Sequence, residues 1–331
     1  MRTPPSGAPG PSVTTAPSIA AEVRAILAHH GLPHDRPLES VDGFANLVVV
    51  SGDLVVRLNT GRLVDAFAHE AEVLEHLPPT IPHARVLAHG QRDSGGEYLV
   101  VTRLPGAHVE SRWASLTSAQ RVDVGRDLGR ALRVLHALPR QPWMANPWSD
   151  LAVAERRWRD AYHAPEEHAR SLVASARGHV AGTDPLLDRI DALVADLPLE
   201  PVEDQIFVHT DLHLRNVLVA DDGTLSLVDF EGSRLGTRSM ELDMLLRSAR
   251  EYDQVELLTG LRETHPDLLQ ITGLVNRLVV AEAMWHLVQL HHWQPGQTWT
   301  KDPIIGLQRV LDGSFEADLL ELGGQPPRGQ R

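Results

Sequence analysis

The chain has 331 residues, and its 42% hydrophobic and 23% charged residues are typical of a folded globular protein rather than of a disordered or membrane one. Because 31 Lys and Arg residues stand against 44 Asp and Glu residues, the net charge of −13 disfavours a nucleic-acid partner, and the basic residues form no cluster. The chain has no cysteine, which excludes disulfides and thiolate chemistry and leaves the cytoplasm as the expected location.

The length and the two chain ends indicate how the protein is organised. A single core stops growing at about 250–300 residues, so we expect two lobes with a cleft between them. Residues 1–17 are rich in Pro, Gly, Ser and Thr, which predicts a disordered tail and not a signal peptide, and residues 323–331 are expected to form a second flexible tail. No segment reaches the roughly 20 consecutive apolar residues that cross a bilayer, so we expect no membrane partner.

The segment 18–104 has the pattern of a small β-rich lobe. A helix is predicted from Ile19 to His30, and a hairpin follows in which the strands LVVV and LVVRL flank a Ser-Gly-Asp turn. A second helix is predicted over 64–77, where apolar residues recur at helical spacing until two prolines end it. Strand character resumes in ARVLAHG and EYLVVTRL. These elements predict a small sheet with one packed helix.

Strand patterns nearly vanish in the segment 105–322. Thr117 and Gln120 have the spacing of a capping box and predict the start of a helix. The strand signals of this half lie within residues 208–233. Further helices are expected near residues 150–180, 185–197, 240–262 and 272–292. The sequence therefore predicts an α+β fold with a β-rich N-terminal lobe and a larger, mainly helical C-terminal lobe.

The stretch VHTDLHLRNVLVADDGTLSLVDFEGS, at residues 208–233, contains the side chains that point to chemistry. Asp211, then Asn216, then Asp229 after an apolar strand have the order found in protein-kinase-like phosphotransferases. Asp211 would accept the proton of an attacking hydroxyl or orient it, because a carboxylate is only an acceptor. Asn216 and Asp229 would supply oxygen ligands to Mg²⁺. His209 would brace the loop through hydrogen bonds.

The same stretch, with the ELD that follows it, resembles the aminoglycoside phosphotransferase family, which includes macrolide and other antibiotic kinases. The resemblance extends from about Val41 to Asp243 and implies a protein-kinase-like bilobal fold. Members of the family usually have His-Gly-Asp in the loop, where this chain has Thr210, and often a glycine before the asparagine, where it has Arg215. Neither change touches the predicted base or the predicted metal ligands.

The resemblance also implies a nucleotide site in the N-terminal lobe, with ATP or GTP as the phosphoryl donor and Mg²⁺ as the cofactor. Asn46 ends GFAN, which is similar to the turn that positions the nucleotide. Arg57 stands where the superfamily typically has a phosphate-binding lysine, and a guanidinium can hold phosphate oxygens as well. Glu70 resembles the helix glutamate that pairs with this cation, and Glu72 is the competing choice.

The stretch YLVVTRLPG resembles the hinge of this family, where backbone groups near Thr102 and Leu104 would bind an adenine or guanine edge. The implied activity is transfer of the γ-phosphoryl group to a hydroxyl of a small molecule, with an antibiotic as the expected acceptor and resistance by inactivation as the result. A metabolic kinase that acts on a choline-like, homoserine-like or sugar-like acceptor is the alternative. We expect a monomer or a homodimer.

Two further classes compete for the same residues. A pseudokinase that binds nucleotide without catalysis is suggested by Arg57, although the intact acidic residues argue against it. His209, Asp211 and His213 alternate along an extended segment, so a zinc or iron enzyme is the other rival, although such sites generally need further ligands.

The acidic balance of the chain bears on the acceptor. Acids spread through the helical half either give an acceptor pocket a negative potential, which would favour a cationic acceptor, or only keep the protein soluble. The acids in question are Glu155, Asp160, Glu166, Glu167 and Glu282.

Overall fold

The computed structural model of the chain describes residues 13–14, 16–41, 46–59, 66–145, 165–178, 180, 182–197, 205–251, 254–292 and 302–322. The chain divides into two compact units. The β-rich unit contains the described residues of Met1–Thr117, Gln141–Pro147 and His213–Ser233. The helical unit contains those of Ser118–Arg140, Trp148–Leu212 and Arg234–Arg331.

The described strands are numbered along the chain. They are β1 (Val13–Thr14), β2 (Glu39–Val41), β3 (Leu47–Ser51), β4 (Leu54–Leu58), β5 (Val86–Gln91), β6 (Glu97–Thr102), β7 (Ala107–His108), β8 (Ile206–Val208), β9 (Val217–Val219), β10 (Leu225–Leu227) and β11 (Arg234–Gly236).

The described α-helices are numbered in the same way. They are α1 (Pro17–His29), α2 (Ala66–His76), α3 (Val109–Arg112), α4 (Ser118–His136), α5 (Pro165–Ala176), α6 (Asp184–Asp196), α7 (Arg238–Glu251), α8 (Val255–Thr264), α9 (Pro266–Leu269), α10 (Leu274–His292), α11 (Pro303–Leu311) and α12 (Ser314–Leu322). Among the described helices, none is both long and apolar enough to cross a membrane.

The β-rich unit is built on an antiparallel sheet of six strands in the order β1-β2-β3-β4-β6-β5. Side chains alternate across a strand, so Leu54, Val56 and Leu58 of β4 all enter the core while Arg57 points to the other face. Helix α1 adds Val23 and Leu27 to the same core. The hairpin of β3 and β4 and helix α2 were predicted from the sequence and lie where the apolar spacing placed them.

A second, three-stranded sheet in this unit has the order β10-β9-β7 and arranges the motif segment. The β9–β10 hairpin turns through Gly223, and the Val228 N–H then donates to the Asn216 carbonyl over 3.1 Å. The Leu227 N–H donates to the Pro82 carbonyl over 3.3 Å, which ties β10 to the chain ahead of β5. The hairpin therefore fixes both ends of the segment between Asn216 and Asp229.

The helical unit is organised around the contact between α4 and α8, where glycines allow the two backbones to approach. A Cβ atom added at Gly125 would lie 2.1 Å from the Leu257 carbonyl oxygen, and one added at Gly260 would lie 2.0 Å from that of Val122. Strand β8 pairs antiparallel with β11 in this unit, with Val208 opposite Arg234. The β8 strand delivers the chain directly into the loop that begins at His209.

The described elements differ from the sequence predictions in one helix and in several short strands. The helix expected at 240–262 is two helices, α7 and α8, whereas only residues 165–178 and 180 of the segment expected at 150–180 are described, and they contain α5. Strands β1, β2, β7 and β11 were not predicted, because two or three residues are too few for an alternating pattern to stand out. Strand β1 lies within residues 1–17, which the sequence predicted to be a disordered tail.

Candidate active site

Arg57 is the centre of a charged cluster in the β-rich unit. Its Nη1 atom donates to Glu70 Oε1 over 2.6 Å, and both side chains are largely buried. Glu70 lies on α2, whereas the alternative partner Glu72 has an exposed side chain on that helix. The structure therefore pairs Arg57 with Glu70.

The other side of the guanidinium contacts the segment after β10. Arg57 Nη2 donates to Asp229 Oδ1 over 2.8 Å and to Glu231 Oε2 over 3.4 Å. Asp229 has a left-handed backbone with φ of 69°, a conformation that aspartate tolerates better than most residues. The next N–H, of Phe230, donates to Glu70 Oε1 over 3.2 Å. One arginine thus connects β4, α2 and the Asp229 segment.

Glu231 was not among the predicted site residues. Its Oε2 atom accepts a 2.9 Å hydrogen bond from Asn46 Nδ2, so it joins Asn46 to the arginine cluster. Residues 43–45 of the predicted nucleotide turn lie outside the described part of the chain. The sequence feature that could have identified Glu231 was its position, two residues after the predicted metal ligand Asp229.

The cluster holds more negative than positive charge, since the described contacts bring three carboxylates to one guanidinium. Burial lowers the pKa of Arg57, but the carboxylates outweigh this effect and raise the pKa above its ordinary value. Burial raises the pKa of Glu70, and the negative charges of Asp229 and Glu231 act in the same direction while Arg57 opposes them. The surplus of carboxylates therefore favours the binding of an additional cation.

The carboxylates fit a divalent metal. Ligand oxygens of Glu70, Asp229 and Glu231 all lie within 4.8 Å of one another, and hard cations such as Mg²⁺ prefer oxygen ligands. The predicted ligand Asn216 lies in a short 3₁₀ helix at Leu214–Asn216, with only 5% of its surface exposed. None of the histidine and aspartate residues of the alternative metalloenzyme site at 209–213 belongs to the three-ligand group found among the described residues.

The predicted base Asp211 lies in the loop that follows β8, in the helical unit. Before it, Thr210 is fully buried and has a φ of 68°, the left-handed region that favours glycine. This backbone geometry suits the glycine that the resemblance implies at this place. Thr210 therefore holds a glycine conformation with a β-branched side chain.

The loop is anchored by a buried carboxylate of α7. The backbone N–H of His209 donates to Glu241 Oε2 over 2.7 Å. His136 of α4 lies 3.2 Å from the same oxygen through Nε2, and its Nδ1 lies 3.0 Å from His265 Nε2. Burial raises the pKa of Glu241, but the His136 and His209 contacts outweigh it and hold the pKa below its ordinary value. Nothing in the sequence indicated that His136 is connected to this loop.

The predicted hinge lies at the end of β6. The Thr102 N–H donates to the Arg85 carbonyl over 3.0 Å, and Thr102 Oγ1 accepts from the Arg85 N–H over 2.9 Å. No hydrogen bond to another described residue engages the backbone of Leu104. Of the two predicted hinge residues, Leu104 is the one whose backbone could bind a ligand without losing a hydrogen bond to a described residue.

Two other positions from the sequence analysis have structural roles. Arg215, where the resemblance implied a glycine, is half-exposed and donates through Nε to Glu110 Oε2 over 2.9 Å. Glu282 of α10 is buried and contacts Arg247 and His286, so its charge is used within the helical unit. The side chains of the other four acids proposed for an acceptor pocket lie outside the described residues.

Comparison with known proteins identifies the family of this chain. The family model for the phosphotransferase enzyme family (APH) matches residues 37–273, which is more than half of the chain. A search of curated protein sequences gave no match.

Solved structures of aminoglycoside phosphotransferases have the same fold. The GDP complex of aminoglycoside 2′-phosphotransferase-IIIa is 15% identical, with a TM-score of 0.67, and the alignment covers 92% of this chain and 99% of that one. The GDP and kanamycin complex of APH(2″)-IIIa is 15% identical, with a TM-score of 0.61 and coverage of 90% and 95%.

A ternary complex of an APH(4)-Ia mutant with ADP and hygromycin B is 18% identical, with a TM-score of 0.55 and coverage of 89% and 97%. These matches establish the kinase-like α+β fold predicted from the sequence. Together with the family match, they show that this chain belongs to the phosphotransferase enzyme family of the aminoglycoside phosphotransferases.

Proposed function

We propose that the protein transfers the γ-phosphoryl group of ATP or GTP to a hydroxyl of a small molecule, with an antibiotic as the acceptor and resistance by inactivation as the outcome. The observation that carries this proposal is the double contact of Arg57 with Glu70 and Asp229. It joins a cation suited to phosphate with a carboxylate suited to a metal. Similar folds in the comparison hold GDP with kanamycin, and ADP with hygromycin B.

The donor nucleotide would be held by the β-rich unit, within residues 18–104. Arg57 has a planar set of N–H donors that can bind phosphate oxygens in pairs, and the contact with Glu70 fixes its position. The backbone of Leu104 would bind the edge of the base, with Thr102 beside it in the chain. Asn46 would hold the nucleotide turn through its contact with Glu231.

Asn216 and Asp229 would hold Mg²⁺, and the Glu231 carboxylate, which has an oxygen within 4.8 Å of one of Asp229, would add a further ligand. A bound magnesium ion neutralises charge on the phosphates and orients them for transfer. The hydrogen bond from the Val228 N–H to the Asn216 carbonyl fixes Asp229 relative to Asn216 through the backbone. This chain therefore supplies one neutral and one anionic ligand from a single hairpin.

Asp211 would accept the proton of the acceptor hydroxyl or orient that hydroxyl for attack, as a carboxylate in a rigid loop can. Glu241 holds the loop by its contact with the His209 N–H, which limits the motion of the base. The acceptor site would be formed by residues 105–322. A cytoplasmic location is part of the proposal, because ATP and GTP are present there.

The acceptor is tested by a panel that separates the two acceptor classes. Purified protein is incubated with ATP or GTP, magnesium and single compounds from aminoglycoside, macrolide, peptide and nucleoside antibiotics, and in parallel with choline-like, homoserine-like and sugar alcohols. Nucleotide consumption above the no-acceptor rate is expected for an antibiotic. Consumption only with a metabolic alcohol would support the metabolic kinase instead, and no stimulation by any hydroxylated compound would contradict the proposal.

A further inference from the structure

Glu97 is a buried carboxylate that the proposed mechanism does not use. It is the first residue of β6, only 3% of its surface is exposed, and it lies in the β-rich unit. Asn59, just after β4, donates through Nδ2 to Glu97 Oε2 over 3.5 Å, and the Asn59 N–H donates to the Glu97 carbonyl over 2.8 Å. A buried carboxylate is unfavourable unless its oxygens accept hydrogen bonds, so the partners of this side chain matter.

The main partners are backbone groups at the start of α2. The Phe67 N–H donates to Glu97 Oε2 over 3.3 Å, and the Ala68 N–H donates to Glu97 Oε1 over 3.4 Å. These two donors belong to the first turn of α2 as the structure describes it, from Ala66 onward, and they have no helical partner among the described residues. Each oxygen of the carboxylate thus accepts one of them, and its negative charge also faces the positive end of the helix dipole.

The first turn of α2, which these contacts hold, positions two neighbours of Arg57. The ring of Phe67 lies beneath the Arg57 guanidinium, with 4.9 Å from Cζ to the ring centroid. Glu70, which accepts from Arg57, follows Phe67 on α2 by three residues, less than one helical turn. Fixing the first turn of α2 therefore fixes both the ring beneath the guanidinium and the carboxylate beside it.

We propose that Glu97 is a positioning residue for nucleotide binding, which holds the first turn of α2 so that Phe67 and Glu70 keep Arg57 aimed at the phosphates. The inference rests on the proposed role of Arg57 as the phosphate-binding cation. Glu97 itself touches neither substrate nor metal in this account. It acts through Phe67, Glu70 and Arg57 in turn.

Glutamine is the informative replacement, because it preserves the size of the side chain. A carboxylate offers two acceptor oxygens, whereas a side-chain amide offers one acceptor and turns a donor toward the second helix N–H. Glu97→Gln should therefore leave the Phe67 or the Ala68 N–H without an acceptor and loosen the first turn of α2. Glu97→Asp keeps the charge but is shorter, and we expect an intermediate effect.

The matched control is Tyr98→Phe in the same strand. The Tyr98 hydroxyl lies 2.8 Å from His30 Nε2, so this variant also loses one partly buried hydrogen bond, but one that ties α1 rather than α2. Glu97→Gln is expected to raise the Michaelis constant for Mg-ATP or Mg-GTP by about threefold to thirtyfold, the effect of losing a helix cap. Tyr98→Phe should leave this constant unchanged, even if it lowers the melting temperature.

The experiment combines nucleotide kinetics with hydrogen exchange and a double-mutant cycle. In Glu97→Gln the amides of residues 67–70 should exchange faster than in Tyr98→Phe. In an Arg57→Ala background, Glu97→Gln should raise the nucleotide Michaelis constant by less than about twofold, because contacting residues show non-additive effects. If Glu97→Gln cannot be purified folded, Glu97→Asp provides the same comparison.

Three results would overturn the proposal: an unchanged nucleotide Michaelis constant in Glu97→Gln, unchanged exchange at 67–70, or an equal increase in the Arg57→Ala background. A lower melting temperature with normal nucleotide kinetics would show that Glu97 only stabilises the fold. Failure of the proposed function is distinguishable, because Arg57→Ala alone would then leave nucleotide affinity intact. In that case the exchange rates still decide whether Glu97 holds the first turn of α2.

Discussion

The two units use buried charge in different ways. In the β-rich unit, one guanidinium contacts the carboxylates of Glu70, Asp229 and Glu231. Burial raises the pKa of Glu70, and the negative charges of Asp229 and Glu231 raise it further. In the helical unit, the Glu241 carboxylate accepts hydrogen bonds from a backbone N–H and a histidine, and its pKa lies below the ordinary value. The first cluster holds more carboxylates than cations, whereas in the second a single carboxylate accepts hydrogen bonds from the loop and a histidine.

This difference indicates a division of labour. A cluster with excess negative charge is where a metal ion and the phosphates it neutralises can be bound, since both change the local charge. The buried, hydrogen-bonded cluster around Glu241 is suited to fixing the backbone of the Asp211 loop. Changes in the first cluster should therefore alter ligand binding, and changes near the loop should alter turnover or stability.

The largest effect is expected from Asp211→Asn. If Asp211 is the base, turnover should fall by about 10²–10⁴, while nucleotide affinity stays nearly intact because Asp211 is outside the charged cluster. Steady-state rates and nucleotide titration measure the two quantities. Asp188→Asn, an exposed change of the same kind in the helical unit, is the control and should retain turnover. Equal turnover in the two variants would remove Asp211 from the mechanism.

The next effect tests the Arg57 cluster through its cation. Arg57→Ala should raise the nucleotide Michaelis constant by about tenfold to a hundredfold, as expected when a hydrogen bond to a charged group is lost, and it should lower turnover as well. Arg57→Lys should keep partial activity, because the positive charge remains. Arg36→Ala removes a half-exposed arginine that pairs with Asp53 in the same unit and should leave nucleotide kinetics unchanged. A fully active Arg57→Ala would mean that another residue binds the phosphates.

A smaller effect concerns the pH dependence of stability at the cluster around Glu241, which includes His265. Burial, His136 and the positive charges of Arg238 and Arg133 lower the pKa of His265 to about 4, against an opposing effect of Asp267. Because the folded state favours neutral His265, the stability it contributes is present above the unfolded pKa of about 6.5 and is lost as the pH falls toward 4.

Unfolding by urea between pH 8 and pH 4 tests this expectation. Wild type should lose stability through this window, and His265→Gln should show a shallower decline, although lost packing lowers its stability equally at every pH. Identical pH dependence in the two proteins would show that His265 does not titrate as proposed. The measurement distinguishes the helical cluster from the Arg57 cluster, which this substitution does not touch.

The smallest effect concerns the acceptor. If the acids of the helical half attract a cationic acceptor, its Michaelis constant should climb as salt shortens the Debye length from about 10 Å at 0.1 M to about 3 Å at 1 M, while saturated turnover changes little. The internal contacts of Glu282 with Arg247 and His286 already count against its part in such attraction. A flat Michaelis constant across this range would leave solubility as the role of the acids.

Much of the site was predictable because local patterns specify it. The β3–β4 hairpin places Arg57, the apolar spacing of α2 places Glu70, and both lie together as expected. Glu231 and Glu241 were missed, because their roles depend on contacts with residues more than thirty positions away in the chain. Glu231 contacts Asn46, and Glu241 accepts from the His209 N–H.

Thr210 shows a different limit of sequence reasoning. Thr210 has a φ of 68°, in the left-handed region that costs a residue other than glycine roughly 1–2 kcal/mol. Because threonine is disfavoured there, its presence in the sequence does not indicate this conformation. Only the resemblance to a glycine motif pointed to this conformation. The break between α7 and α8 was also missed, because apolar residues continue at helical spacing on both sides of it.

The central proposal is that the Arg57 cluster binds the metal and the nucleotide together. Magnesium titration of nucleotide binding in Asp229→Asn tests it directly, and Asp221→Asn, which changes an exposed carboxylate before β10, is the charge-matched control. We expect Asp229→Asn to need far more magnesium for nucleotide binding than wild type, while Asp221→Asn behaves as wild type. A magnesium requirement in Asp229→Asn equal to that of wild type would contradict the metal assignment at this cluster.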